Sequence, residues 1–206
     1  FIEPSIVNSQ LDNVIDPHRG ATEFASLKMM VPEVVGQPLC RFQCEASIFV
    51  PVFEKIVLAC RLRLGHIFRR YFDQIMPIER FYLGGPQTIR GYEKDAVPPL
   101  GIETVVENGA VSRFYTIQGG SSMINGNAEI RFPIYRLFGG VLFNDIGVLS
   151  QEGISGFKKR WYPTSGFGFR YKTPIGALRF DIGWKWKRFS SDESMYAWYL
   201  TLGHAF

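Results

Sequence analysis

From residue 40 onward, apolar and polar residues alternate again and again, which is the period-two pattern of β-strands whose two faces meet different surroundings. The first clear case sets Cys40, Phe42, Cys44, Ala46, Ile48 and Val50 against Arg41, Gln43, Glu45 and Ser47. The pattern returns in 56–65, 127–132, 138–148, 165–172, 178–187 and 195–206. Residues 4–15 predict a weaker strand that ends at a turn at Asp16–Gly20, and residues 20–31 form a second apolar run whose facing the pattern does not fix. The chain is therefore predicted to be all-β and antiparallel, with about eight strands.

Alternation alone allows a soluble ligand-binding barrel, with its apolar face inward, or a transmembrane β-barrel, with its apolar face outward. Three features favour the membrane barrel. Short and long connections alternate, as in outer-membrane barrels. Tryptophans occupy the apolar faces, where an interfacial belt would place them: Trp184, Trp186 and Trp198. Glycines recur on the polar faces, which suits a crowded interior: Gly65, Gly147, Gly166, Gly168, Gly183 and Gly203.

Composition excludes several other classes of protein. The net charge is +4, but no run of Lys or Arg could follow a nucleic-acid backbone, so no nucleic-acid partner is expected. The longest apolar runs are too short for a transmembrane helix. The sequence has no catalytic or phosphate-binding motif, and its histidines are scattered: His18, His66 and His204. We therefore predict neither an enzyme nor a cofactor.

The three cysteines, Cys40, Cys44 and Cys60, lack the spacing of a metal site. Cys44 and Cys60 are predicted to lie roughly opposite each other in a hairpin, as small lipid-facing thiols or as a strained disulfide. Because the first residue is Phe and no signal peptide precedes it, we expect a processed product or a fragment.

The central segment, about 69–121, is too long for a turn, and loops of this size are usually functional or disordered. It contains Arg-Phe-Tyr-Leu-Gly-Gly-Pro-Gln-Thr-Ile-Arg-Gly-Tyr at residues 80–92. The glycines and the proline exclude a strand, while Phe81, Ile89 and Tyr92 are too apolar for a free surface loop. We predict a loop that folds into a cavity and carries Arg90 to a fixed partner.

In this order, several motifs resemble those of the outer-membrane barrel-assembly family that contains BamA and TamA. The loop-six signature is carried by Arg80, Phe81, Gly84, Gly85, Ile89, Arg90, Gly91 and Tyr92. Phe143-x-Asp145-x-Gly147 and Gly166-x-Gly168-x-Arg170 resemble later strands, and Phe206 resembles the end of the terminal β-signal. Asp16-Pro17-x-Arg19-Gly20 resembles a periplasmic turn.

The resemblance implies that residues 1–206 form the C-terminal part, about half, of a sixteen-stranded barrel, with loop six at about 69–121. An N-terminal barrel half and POTRA-type domains would then lie outside this chain. The implied location is the outer membrane of a bacterium or, alternatively, of an organelle. The implied function is the insertion of client outer-membrane proteins into the membrane, without a cofactor. The implied partners are the clients and membrane lipid. A polypeptide-secreting pore of the two-partner type is the alternative.

The resemblance also assigns roles to residues. Arg90 would lock loop six in the lumen by pairing with Asp145, near Gly147, Gly166 and Gly168, and Glu129 is a rival partner. Gly166 and Gly168 would leave room for the backbone of the loop. The terminal strand would form one side of a lateral seam that templates client strands, through Trp198, Leu200, Leu202, Gly203 and Phe206. Asn144 departs from the pattern, because alternation places this polar residue on the lipid face or in a bulge.

Overall fold

Among the residues that the computed structural model describes, nine β-strands form one antiparallel sheet and two more form a separate hairpin. The structure describes residues 1–30, 38–69, 71–107, 110–158, 160–173, 176–188, 193–203 and 205–206, and within 102–114 only the backbone. The strands are β1 Ser5–Leu11, β2 Gly20–Met30, β3 Leu39–Phe53, β4 Ile56–Phe68, β5 Leu100–Glu107, β6 Ala110–Ile117, β7 Ser122–Tyr135, β8 Phe138–Ser150, β9 Thr164–Thr173, β10 Gly176–Lys185 and β11 Tyr196–Leu202. Short 3-10 helices span Phe72–Gln74, Pro77–Glu79 and Gly153–Lys158.

The main sheet follows the order β1-β2-β3-β4-β7-β8-β9-β10-β11, so each strand pairs with its neighbour along the chain apart from the inserted hairpin. It has nine strands where about eight were predicted. The weakly patterned segment at the N-terminus accounts for the difference, since β1 pairs with β2 over its full length, from Ser5 opposite Ser26 to Leu11 opposite Gly20. The prediction of an all-β antiparallel fold is confirmed.

The hairpin of β5 and β6 lies within the central segment and was not predicted. Leu100 pairs with Ile117 at its base and Glu107 with Ala110 at its tip. The sequence between the two strands is Asn-Gly, the dipeptide most favoured in two-residue hairpin turns. This signal was overlooked because the segment was interpreted as one glycine-rich loop.

The two faces of the main sheet differ in polarity, and the apolar face is the exposed one. Trp198 is 63% exposed, Leu200 62% and Leu142 52%, whereas Asp145 is 0% and Arg179 1% exposed. A soluble ligand-binding barrel would have the opposite orientation. We call the buried, polar side the inner face. The orientation fits a membrane barrel, whose outer surface contacts lipid, and the fold is that of a partial transmembrane barrel.

The connections between strands are short at one end of the sheet and long at the other. β3 and β4 are joined by residues 54–55 and β7 and β8 by residues 136–137, whereas residues 69–121 separate β4 from β7 and residues 151–163 separate β8 from β9. This is the asymmetry that the sequence predicted. Among the described residues, no helix has the length and apolar character needed to cross a membrane.

Two local predictions on the outer face need correction or refinement. The register pairs Cys60 with Ile48 and Cys44 with Leu64, so the two cysteines are not opposite each other, and all three thiols are free. Asn144 does lie outward, but its strand is not bulged there. Its Nδ2 donates to Ser165 Oγ over 2.8 Å on the neighbouring strand, which satisfies part of this polar group.

The exposed apolar face predicts how the fold responds to a charge. Leu142→Arg should destabilise the folded protein in lipid by about 2–4 kcal/mol, because a charged side chain on the lipid face must leave water. Leu137→Arg, at a half-exposed leucine in the short turn between β7 and β8, is the control and should cost under about 1 kcal/mol. Urea titration of the two variants in lipid vesicles measures the difference. Equal stability of both variants would place Leu142 in water.

Candidate functional site

Residues 75–97 of the central segment pack against the inner face through a shared apolar core. The core residues of the segment are Ile75, Phe81, Leu83, Ile89, Tyr92 and Val97. Those of the surrounding structure are Leu39, Ile67, Met123, Leu149 and Tyr162. A loop with these contacts is held by burial of apolar surface as well as by polar bonds, so its position on the sheet is well defined.

Residues 84–92 form a closed turn inside this segment. Gly85 N donates to Tyr92 O over 2.9 Å, and Gly84 N donates to Thr88 Oγ1 over 2.8 Å. Gly84 has φ 117° and Gly91 has φ 104°, a backbone region that side chains with a Cβ rarely adopt. These glycines bend the chain so that Arg90 projects towards the sheet.

Arg90 contacts two carboxylates of the inner face at once. Its Nε and Nη2 each lie 2.8 Å from an oxygen of Asp145 in β8, and its backbone N donates to Asp145 Oδ2 over 3.0 Å. Its Nη1 lies 2.5 Å from Glu129 Oε1 in β7. The guanidinium also lies over the Phe143 ring, 3.6 Å from its centroid. The two carboxylates considered as rivals in the sequence therefore share one arginine.

The Arg90 cluster is buried, since Arg90 and Glu129 are each 1% exposed and Asp145 is 0% exposed. Burial by itself would lower the pKa of Arg90, but the negative charges of Asp145 and Glu129 outweigh it and raise that pKa above its ordinary value. Arg90 therefore stays charged at any physiological pH, and the pair cannot be released by deprotonating the arginine.

Further arginines pair with Glu129 and with a third carboxylate, Asp181 in β10. Arg131 Nε lies 2.8 Å from Glu129 Oε2, and Arg170 Nη1 lies 2.6 Å from Asp181 Oδ1. Arg179 Nε lies 3.1 Å from Asp181 Oδ2. Positive and negative groups thus alternate along the inner face, which compensates for the cost of burying each charge.

The inner face also binds the backbone of the turn through its carbonyl oxygens. Arg179 Nη2 donates to Pro86 O over 2.8 Å, and Asn125 Nδ2 donates to Thr88 O over 3.3 Å. Arg61 donates to Gln87 O, and the Tyr199 hydroxyl donates to Tyr92 O. None of these four side chains was predicted as part of the site. Alternation placed Arg61, Arg179 and Tyr199 on the polar face, but the sequence does not show which loop atoms they reach.

Glycines of the inner face fit the loop closely, but not all at the predicted positions. A Cβ on Gly183 would lie 2.6 Å from Arg90 C, and one on Gly147 would lie 2.6 Å from Ile89 Cδ1. Gly166 and Gly168 were predicted to leave room for loop backbone. They instead adjoin atoms of the sheet: a Cβ on Gly166 would lie 2.2 Å from Ile182 O and 2.3 Å from Phe143 Cζ, and one on Gly168 would lie 1.9 Å from Asp181 Oδ1.

The start of the loop-six motif lies away from Arg90. Arg80 Nε donates to Ile75 O over 2.9 Å and its Nη1 donates to Gln118 O over 3.1 Å. Phe81 pairs with Gly120 by a bridge of two backbone hydrogen bonds. Arg80 and Phe81 therefore join the two ends of the segment, while Arg90 contacts the sheet.

The terminal strand β11 is an edge of the main sheet, and Trp198, Leu200 and Leu202 point outward from it. Phe206 was predicted on this apolar face, but β11 ends at Leu202 and Gly203 has φ 92°. The Phe206 ring lies 6.2 Å from the ring of Phe49, a buried residue of β3, and 4.7 Å from the guanidinium of Arg61. His204, one of the three scattered histidines, lies outside the described residues.

The outward apolar face, the asymmetric connections and the loop packed on the inner face together define a partial outer-membrane β-barrel. Residues 1–206 match the Omp85 superfamily domain, and the chain belongs to the Omp85 superfamily. The resemblance noted in the sequence is thereby confirmed, and the protein is located in an outer membrane.

Two relatives show the range of the similarity. BamA from Haemophilus ducreyi, in a crystal structure lacking POTRA domains 1–3, aligns with 95% of this chain at a TM-score of 0.73 and 18% identity. Outer envelope protein 80 of Arabidopsis thaliana chloroplasts is 29% identical over 125 residues, or 57% of this chain. The chain spans 41% of the BamA chain and 14% of the chloroplast protein. The chloroplast relative supports the organellar alternative for location.

Proposed function

We propose that this chain is the C-terminal part of a barrel that inserts client β-barrel proteins into an outer membrane. The observation that supports this role is the buried contact of Arg90 with Asp145 and Glu129. It would hold loop six against the inner face, so that the loop stabilises the sheet whose edge strand is β11. The contact has no reacting atom and no open donor set, so its role is mechanical.

The position of loop six bears on the alternative function, a polypeptide-secreting pore. The apolar core and the Arg90 contacts place the loop over the inner face, where a secreted chain would have to pass. A pore would require the loop to leave this position. We therefore favour insertion at the edge of the sheet over export through its interior.

The terminal strand supplies a means of insertion. β11 forms an edge of the sheet, and an edge strand offers unpaired backbone groups that can template another strand. We propose that this edge meets the first strand of an N-terminal barrel half, which lies outside this chain, at a seam that opens towards lipid. POTRA-type domains outside this chain would deliver the clients.

A photo-crosslinking experiment tests this seam. The full-length protein, reconstituted in lipid vesicles, carries a photoreactive phenylalanine analogue in place of Leu200 on β11 or of Ile130 in the middle of the sheet. Both positions face outward. During the folding of a urea-denatured client barrel, we expect Leu200 to yield a client adduct at least about fivefold more often than Ile130, because strand pairing lasts longer than random collision.

The same vesicles distinguish the alternatives. Equal adducts at both positions, with no acceleration of client folding over empty vesicles, would contradict the proposal. Adducts confined to the inner face, together with a conductance blocked by a passenger polypeptide, would indicate the secretion pore instead.

A further inference from the structure

A cavity of about 620 Å³ lies at the end of the sheet where the short turns are. Small inward residues make room for it: Gly139, Val141 and Ala177 line its wall. The turn between β1 and β2 reaches across this end, and Asp16 Oδ2 lies 2.6 Å from Lys172 Nζ in β9. The cavity is thus separate from the turn at residues 84–92, which lines no part of it.

Two buried arginines line this cavity with unused hydrogen-bond donors. Arg131 is 8% exposed and Arg170 is 5% exposed. Arg131 Nη1, Arg170 Nε and Arg170 Nη2 donate to no described group of the protein. A guanidinium can only donate, so these buried N–H groups keep hydrogen-bonding capacity for a water molecule or a ligand. Both arginines flank Glu129, at 2.8 and 3.9 Å, so their two guanidiniums lie on either side of one carboxylate.

The charge around these arginines is positive. The connected ion pairs of the inner face contain four guanidiniums, those of Arg90, Arg131, Arg170 and Arg179, but three carboxylates, those of Glu129, Asp145 and Asp181. The cavity is lined in addition by Lys55, Arg136 and Lys172, against Asp16 and Glu54. An anion is therefore the ligand that this arrangement favours, and a fork of guanidinium N–H groups fits the oxygens of a phosphate.

The rim of the cavity is apolar and exposed. Ile134 is 52%, Tyr135 62% and Phe138 51% exposed, and all three line the cavity. A ligand that occupied both parts would need an anionic group and an attached apolar chain. Basic pockets next to a lipid-facing surface are typical binding sites for anionic lipid headgroups.

We propose that this cavity binds a phosphate group, held by Arg131 and Arg170 with Lys55 and Lys172 at its mouth. The source of the phosphate is an anionic phospholipid headgroup whose acyl chains lie along Ile134, Tyr135 and Phe138, or free phosphate. This site goes beyond client insertion and uses no residue of β11, but Arg131 and Arg170 adjoin Glu129 of the Arg90 cluster.

Calorimetric titration of the full-length protein in detergent tests the proposal with three probes: dihexanoyl phosphatidylglycerol, dihexanoyl phosphatidylcholine and inorganic phosphate. We expect phosphatidylglycerol to bind about tenfold or more tightly than phosphatidylcholine, whose choline the basic mouth repels. Arg170→Gln and the double variant Lys55→Gln/Lys172→Gln should each weaken binding about tenfold, the loss expected for one charge-assisted hydrogen bond. Lys158→Gln/Lys187→Gln, two exposed lysines outside the cavity, is the matched control and should bind within about twofold of the parent.

The outcomes separate cleanly. Tighter binding of phosphatidylglycerol than of inorganic phosphate identifies a headgroup, and equal or tighter binding of inorganic phosphate identifies free phosphate; both support a phosphate site. The proposal is wrong if neither phosphatidylglycerol nor inorganic phosphate binds, or if the control variant weakens binding as much as the cavity variants do. If Arg170→Gln does not fold, the lysine double variant decides, because Lys55 and Lys172 lie outside the Arg90 cluster. Normal client folding by that variant would show that the site is separate from insertion.

Discussion

Arg90→Ala is expected to free loop six from the inner face and to lower client insertion while leaving the β-sheet formed. The change removes the partner of two buried carboxylates, and breaking a buried ion pair in this way costs about 3–5 kcal/mol. A cost of that size shifts the equilibrium between docked and free loop by about two orders of magnitude or more. Asp145 and Glu129 would then repel each other across the space that the guanidinium occupied.

The measurement is proteolysis of the loop in the full-length protein, combined with the client folding rate and the far-ultraviolet circular dichroism. Arg160→Ala, which removes an exposed arginine, is the control and should leave all three unchanged. Arg90→Lys should give an intermediate result, since an ammonium keeps the charge but cannot reproduce the fork to Asp145. Parent-like protection and activity in Arg90→Ala would show that the contact does not lock the loop.

A double-mutant cycle separates the pair from its surroundings. Arg90→Ala/Asp145→Ala should cost little beyond Arg90→Ala alone, because the second change removes a carboxylate that the first has already left unpaired. Glu129 differs from Asp145 in keeping Arg131, 2.8 Å away. Additive losses in the cycle would mean that Arg90 and Asp145 stabilise the protein through different partners.

Much of the fold follows from alternation, and the reason is physical. A membrane barrel exposes an apolar face to lipid and a polar one to its interior, so strands β3, β4 and β7 to β11 could be predicted from alternation. Alternation is weak in the N-terminal segments, and this is why the predicted number of strands was about eight and not nine. Alternation also does not predict the path of the chain after a strand ends. Phe206, predicted on the apolar face, lies instead against Phe49 on the inner face.

The site was predictable in its residues but not in its geometry. The loop signature singled out Arg90, and alternation placed Asp145 and Glu129 on the same face. Whether Arg90 contacts both carboxylates depends on how deeply the loop packs against the inner face. That depth is set by packing between residues distant in sequence. The same limit explains Gly166, which makes room for the Phe143 ring and not for loop backbone. Sequence shows that a glycine is needed, but not which neighbour needs it.

Gly183→Ala is expected to reproduce the effect of Arg90→Ala without altering any charge. A Cβ at this position in β10 would lie 2.6 Å from Arg90 C and 2.7 Å from Gly91 N. Both atoms belong to backbone that the closed turn and the carboxylates hold in place, so it cannot yield as a flexible side chain would. Overpacking of this kind costs about 1–3 kcal/mol, and undocking the turn is the easiest way to relieve it.

Gly126→Ala in β7 is the matched control, because it makes the same change in the middle of a strand. The nearest atom to its Cβ is Ile146 Cγ2 at 3.3 Å, the end of a side chain that can rotate away. We expect loop proteolysis to rise and client folding to slow in Gly183→Ala but not in Gly126→Ala. Adding Arg90→Ala to Gly183→Ala should then change little, since both would release the same turn. If loop six stays protected from proteolysis in Gly183→Ala, the turn can accommodate the methyl group in another way. The close contact at Gly183 would then not be needed to position Arg90.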